Sequence, residues 1–228
     1  MDPVHRLEDL TPQDRETLKA VSMHHHGSGP VRPGEVVAEL AISPATVTAR
    51  LKRLHDMGLV DHIPYAGVTL TEVGSRLAVT VVRRHRIAER FLCDLLDYDW
   101  EEAERLAPGF EHALPAEVVQ RLFERLGSPE TCPHGFPIPA PGDETVPVLR
   151  CLVDLDPGDS GEIAMPSNID PAAIAYLQEM GIRPGATVVV VEKLPFEGPV
   201  RVLVASSEQT VGNKLARLLS VSPVRSAF

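Results

Sequence analysis

Apolar positions along the first 70 residues fall into short periodic runs separated by turn signals. Over residues 11–26 the spacing is helical, with Leu18 and Val21 opening the apolar stripe and Thr11 and Pro12 suited to cap and start it. A short helix is predicted over 32–40, followed by a turn at Ala41-Ile42-Ser43-Pro44. Ser43 is a good N-cap and Pro44 a good first residue for a third helix, 44–57, on which Val47, Leu51 and Leu54 recur on one face until Gly58 ends it. Two β-like runs within 59–70 then flank a turn containing Gly67, which predicts a hairpin. Helix, helix, turn, helix, hairpin is the order of a winged helix-turn-helix.

Residues 71–96 read as one long helix, with Thr71 as its cap and Glu72 in its first turn. At about 1.5 Å per residue it would span about 39 Å, long for a small domain, and it predicts a link to a dimerisation region. Helices are predicted over 100–107 and 115–126; the second puts Val118, Val119, Leu122, Phe123 and Leu126 on one face. These helices have few other partners in the sequence, so packing against a second copy is expected. Residues 127–143 are rich in proline and glycine and predict a rigid linker. Beyond it, strands are predicted over 148–154, 160–164, 187–192 and 200–205, with turns at Asp156-Pro157-Gly158-Asp159 and Arg183-Pro184-Gly185. One helix, 171–180, intervenes, and a last helical turn within 211–218 precedes a closing strand. Short strands with tight turns suggest a small β-barrel, so the chain is α+β.

Composition narrows the function classes. With 228 residues, 43% hydrophobic and 24% charged, the chain is neither disordered nor fibrous. Its apolar stretches fall far short of the ~20 residues of a spanning helix, and residues 1–10 carry no apolar leader, so no membrane partner is expected. Three scattered cysteines, Cys93, Cys132 and Cys151, cannot build a disulfide framework, and a cytoplasmic location is the expectation. The net charge of −10 argues against broad nucleic-acid binding. Locally the balance differs: 76–93 holds five arginines and one glutamate, net +4, and 94–130 is net −7. Arg83, Arg84, Arg86 and Arg90 therefore read as a basic patch beside an acidic run.

Candidate chemistry lies in that region. His85 and Glu89, four apart on a helix, share a face; Glu111 and His112 sit in the acidic stretch; Cys132 and His134 are two apart in the Pro/Gly loop; Glu16 lies on the first helix. Acids near histidines are what a divalent cation requires. No His-Glu-x-x-His motif and no nucleophile–base arrangement is present, which argues against an enzyme. In a helix-turn-helix the N-terminal end of the recognition helix lies nearest the bases, which nominates Ser43, Pro44, Ala45, Thr46 and Thr48. Arg50 and Lys52 suit phosphate, and His62 and Tyr65 of the wing could touch the backbone of double-stranded DNA.

The stretches Ser43-Pro44-Ala45-Thr46-Val47-Thr48, Arg83-Arg84-His85-Arg86-Ile87-Ala88-Glu89-Arg90, Glu111-His112 and Cys132-Pro133-His134-Gly135-Phe136-Pro137-Ile138-Pro139 together resemble the diphtheria toxin repressor family of metal-dependent repressors, close to its manganese-responsive branch. Leu155-Asp156-Pro157-Gly158-Asp159 and Gly181-Ile182-Arg183-Pro184-Gly185 resemble its C-terminal SH3-like domain. The resemblance covers nearly the whole chain. It implies a winged helix-turn-helix over 1–74, a helical dimerisation and metal-binding domain with its linker over 75–142, and an SH3-like small β-barrel over 143–228. It implies a homodimer that binds a DNA operator and silences metal-uptake genes when metal is plentiful. It implies a first ion held by Glu89, Cys132, His134 and Asp170, and a second by Glu16, His85, Glu111 and His112. Pro108 stands where relatives place an acid or cysteine, with Glu104 one turn earlier as a substitute. A carboxylate-rich set favours Mn²⁺ over Fe²⁺, while the Cys132 thiolate favours softer ions, and other divalent metals such as zinc would bind in vitro. An organic-ligand sensor on the same winged helix, or a metal-dependent activator, is the alternative.

Overall fold

The computed structural model describes residues 6–24, 29–166 and 168–223. The end of the first predicted helix, His25 and His26, lies outside them. The chain forms two compact units. One contains residues 1–88, 107–121 and 138–148; the other contains 89–106, 122–137 and 149–228.

In the first unit α1 (Pro12–His24), α2 (Pro33–Leu40) and α3 (Pro44–Asp56) precede a hairpin of β1 (Val60–Ile63) and β2 (Gly67–Leu70). Thr11 and Asp14 cap α1 reciprocally: the Asp14 amide donates to the Thr11 hydroxyl at 3.2 Å, and the Thr11 amide to the Asp14 carboxylate at 3.1 Å. Ser43 caps α3 by accepting from the Thr46 amide at 3.2 Å, with Pro44 following as the sequence predicts. The hairpin pairs Val60 with Leu70 and Ile63 with Gly67. Leu18, Val21, Val36, Val47, Leu54, Leu59 and Val68 close over one core, to which Ala78 and Val81 also contribute.

α4 (Glu72–Leu96) starts at the Thr71 cap, whose hydroxyl accepts from the Gly74 amide at 3.0 Å. It is the single long helix its pattern predicts, and its residues to Ala88 belong to the first unit and those from Glu89 to the second. α5 (Trp100–Ala113) differs from expectation. The sequence places its end at Ala107, before Pro108, but the helix runs on for six residues. A proline removes one intrahelical donor, and here that loss does not stop the helix. Its continuation puts Glu111 and His112 on helical backbone. α6 (Ala116–Arg125) follows and buries Val119.

The second unit carries a six-stranded antiparallel sheet in the order β3-β8-β4-β5-β6-β7, from β3 (Arg150–Cys151), β4 (Ser160–Ala164), β5 (Thr187–Lys193), β6 (Val200–Val204), β7 (Ser207–Val211) and β8 (Ser220–Pro223). α7 (Pro171–Glu179) and the short α8 (Asn213–Ala216) accompany it. Val188, Val190, Val202, Val204, Val211, Ile163 and Val221 alternate inward onto Leu152, Leu177, Ile182 and Leu219. Two expectations change here. The strand predicted over 148–154 is two residues long and turns into a 3-10 helix at Leu152–Asp154. β7 has no counterpart in the sequence reading: it sits at the sheet edge and buries only Val211, so it carries no apolar alternation to find.

A candidate metal centre and a candidate nucleic-acid interface

The Pro/Gly loop is built to hold two side chains. The Cys132 amide donates to the Phe136 carbonyl at 2.9 Å and the Gly135 amide to the Cys132 carbonyl at 2.9 Å, closing a tight turn around His134. The Met165 amide, at the end of β4, donates to the His134 carbonyl at 2.9 Å, which pins the loop to the sheet. Gly135 has φ +87°, and a Cβ there would lie 2.5 Å from the Ile163 carbonyl, so only glycine fits. The side chain of Trp100 packs on the sheet core and meets the His134 ring edge-on, with centroids 5.0 Å apart. The sequence reading missed this role of Trp100; its one signal is that it is the sole tryptophan.

Within that frame Glu89, Cys132 and His134 are all buried, and one ligand atom of each lies within 4.8 Å of the others. His134 Nδ1 is 2.8 Å from Glu89 Oε1. Its other nitrogen, Nε2, is buried with no hydrogen-bond partner and lies 3.7 Å from Glu104 Oε2. If Nδ1 donates to Glu89, Nε2 presents a lone pair to a carboxylate. A buried imidazole flanked by a carboxylate on each edge calls for a cation: an ion taking the place of the Nδ1 proton would be shared by His134 and Glu89, with Cys132 as the third donor and Glu104 facing the other edge of the ring. Donors roughly 2.1 Å from a shared ion stand about 3–4 Å apart, so the separation suits one. The residues fit a divalent metal by this test. Carboxylate, thiolate and imidazole would hold it, and the ion would supply a positive charge joining α4 to the loop.

The structure does not bring Asp170 to this cluster. Asp170 is exposed, and its carboxylate caps α7 by accepting from the Ala172 amide at 2.8 Å. Glu104, which the sequence offers as a substitute in the second set, lies beside His134.

The second set gathers in the first unit. Glu16, Glu111 and His112 place ligand atoms within 4.8 Å of one another. His112 Nε2 is 3.3 Å from Glu16 Oε1, and His85 Nδ1 is 3.1 Å from Glu111 Oε2. Burial pushes the Glu111 pKa up. The hydrogen bond from His85 and the charges of Lys19, His85 and His112 outweigh it, and the carboxyl stays below its ordinary range. Lys19 was not among the sequence candidates, yet its Nζ lies 3.3 Å from His85 Nδ1 and 3.4 Å from Glu16 Oε2.

The basic patch is not a surface. Arg83, Arg84 and Arg86 are buried, and Arg83 donates to the Pro139 carbonyl at 2.6 Å. Desolvation lowers the pKa of Arg83 and Arg84. Arg90 donates to the Thr131 carbonyl at 2.7 Å, so it fastens the loop instead of facing a partner. Long aliphatic stems let arginines sit inside while the heads find carbonyls.

The residues that the sequence nominates for DNA lie on α3 and the wing. Ser43, Pro44, Ala45, Thr46 and Thr48 are exposed at the start of α3; Lys52 and Tyr65 are exposed, and Arg50 is half-buried. Lys52 Nζ is 2.6 Å from Asp56 Oδ2. A cleft beside the wing is lined by Arg32, His62, Ile63 and Tyr65; Arg32 is an addition that the sequence reading did not name.

Comparisons with known proteins agree along the chain. Residues 9–68 match the model of the iron dependent repressor N-terminal DNA binding domain, 71–140 that of the iron dependent repressor metal binding and dimerisation domain, and 150–223 that of the FeoA domain. The iron-dependent repressor IdeR of Mycobacterium tuberculosis is 29% identical over 237 residues, covering 97% of this chain and all of that one. The transcriptional regulator MntR of Escherichia coli O6:H1 is 42% identical over 97 residues, 42% of this chain and 62% of that protein. A solved manganese-dependent transcriptional repressor in complex with manganese superposes with TM-score 0.78 at 31% identity, covering 92% of this chain and 100% of that one. DNA-binding, metal-binding and dimerisation, and FeoA domains thus follow one another along the chain, which belongs to the iron-dependent repressor family, the family of the diphtheria toxin repressor.

Proposed function

We propose that the chain, a metal-dependent DNA-binding transcriptional repressor by family, responds to Mn²⁺ in preference to Fe²⁺, binds a double-stranded operator as a homodimer, and silences genes of metal uptake. The observation that carries this reading is the buried Glu89–Cys132–His134 cluster with Glu104 beside it. We assign these four side chains to the ion and leave Asp170 out of the set. Two carboxylates favour a hard ion, and the manganese-bound structure at 31% identity supports the same choice. Cys132 and the relative named IdeR support Fe²⁺ as the second reading. The domains are taken as 1–74, 75–142 and 143–228. Ser43, Pro44, Ala45, Thr46 and Thr48 would meet base edges, with Arg50, Lys52 and Tyr65 on the phosphate backbone.

The test is a selection of duplexes from a randomised pool with chelator-treated chain, run anaerobically with Mn²⁺ or Fe²⁺, followed by anisotropy at one fixed salt concentration. Mn²⁺ is expected to tighten binding at lower free concentration than Fe²⁺. Tight binding that neither metal changes would overturn the reading, and stronger activation by Fe²⁺ would select the second one.

A further inference from the structure

Lys19 stands inside the set of residues that the family resemblance assigns to a second ion. The residue is 8% exposed, and its ammonium lies 3.3 Å from His85 Nδ1, 3.4 Å from Glu16 Oε2 and 3.6 Å from Glu111 Oε2. Glu111 is 1% exposed, on α5, while His85 is on α4 and Glu16 on α1. One cation therefore joins three helices of the first unit through the atoms that a divalent ion would use. We propose that the Lys19 ammonium is the resident cation of this cluster and takes the place of a second metal, so that the chain binds a single divalent ion per protomer.

The remaining donors are Glu16 Oε1, Glu111 Oε1 and His112 Nδ1, which are buried and make no hydrogen bond. The two oxygens belong to the carboxylates whose other oxygens face Lys19, and His112 Nδ1 lies 3.3 Å from Glu111 Oε1. An ion held by them would sit roughly 5 Å from a fixed positive charge in a buried site, where repulsion is strong. The charge available differs as well. Two carboxylates against one ammonium leave the second cluster at −1, whereas Glu89, Glu104 and the Cys132 thiolate offer −3. Pro108 removes a further donor from the turn before Glu111. The role of Lys19 rests on this geometry alone; the count of one ion also rests on the function proposed above.

The experiment is anaerobic equilibrium dialysis of four full-length proteins against Mn²⁺: wild type, Lys19→Gln, Glu89→Gln, and the double variant. The expected stoichiometries are one, two, none and one, with the ion gained in the Lys19 variants bound at least about 100-fold more tightly than any at that cluster in wild type. In chelator Lys19→Gln is expected to melt below wild type and to recover on adding Mn²⁺, because the buried Glu111 and half-buried Glu16 carboxylates then lack their cation. No ion gained on Lys19→Gln would overturn the proposal, as would one ion retained in Glu89→Gln and lost on adding Glu111→Gln. No ion in wild type with one in Lys19→Gln would sustain the role of Lys19 and refute the Glu89 site. Should Lys19→Gln fail to fold, manganese anomalous scattering from wild-type crystals decides: no peak beside Glu111 supports the proposal, and a peak there overturns it.

Discussion

Gly135→Ala probes the link between sheet, loop and metal. The substitution imposes two separable costs. At φ +87° an L side chain is strained by about 1–2 kcal/mol. The new Cβ also lies 2.5 Å from the Ile163 carbonyl and 3.0 Å from Ala164 Cα, backbone atoms of β4 that cannot rotate away. Forcing such a contact costs about 1–3 kcal/mol more. Gly158→Ala is the control, because Gly158 has φ +93° and nothing within 4 Å of its Cβ position. Both glycines belong to the second unit. At roughly 3–5 °C per kcal/mol for a unit of this size, Gly135→Ala should lower the melting temperature in chelator by about 10 °C and Gly158→Ala by about 5 °C. The loop must also shift by some tenths of an ångström, moving Cys132 and His134 off the Glu89 carboxylate. Mn²⁺ affinity should therefore fall about 10-fold or more in Gly135→Ala alone. Calorimetry with Mn²⁺ titration measures both. Equal melting temperatures for the two variants, with unchanged Mn²⁺ affinity, would refute the coupling of loop and sheet.

Ser43→Ala removes the cap of α3 and should destabilise the first unit by about 1 kcal/mol in urea unfolding. Leu54→Ala, at a fully buried site in the same core, should cost about 2–5 kcal/mol by the same measurement. The hydrogen bond that His24 donates to the Glu39 carboxylate raises the His24 pKa above 6.5 against the opposing effect of burial. The stability from this pair is thus fully present below pH 6.5 and is lost as pH rises through the raised value. Unfolding followed from pH 6 to 9 should show a decline of at most about 1 kcal/mol that Glu39→Gln abolishes.

The helix starts were legible because caps are local: Ser43-Pro44 and Thr71 declare themselves within four residues. Pro108 misled for the same reason. A proline reads as a stop, yet a helix can lose one donor and continue to Ala113. The edge strand β7 left no pattern because only Val211 faces the core. At the site, residue types pointed to Glu89, Cys132 and His134, but the surroundings did not show. That Trp100 would flank His134, that Glu104 would join it, and that Lys19 would reach His85 across 66 positions are consequences of tertiary packing. Likewise the run Arg83-Arg84-His85-Arg86 has the composition of a surface, and only the fold reveals that its guanidiniums are spent inside.

The central claim is that an ion held by Glu89, Cys132 and His134 switches DNA binding. Its most direct test is anaerobic Mn²⁺ titration of wild type, Glu89→Gln and His134→Gln on one selected duplex, followed by anisotropy, with circular dichroism confirming that each variant is folded. Mn²⁺ is expected to tighten wild-type binding at least about 10-fold, a coupling of about 1.4 kcal/mol, and to leave both folded variants at the metal-free affinity. Variants that respond to Mn²⁺ as wild type does would contradict it.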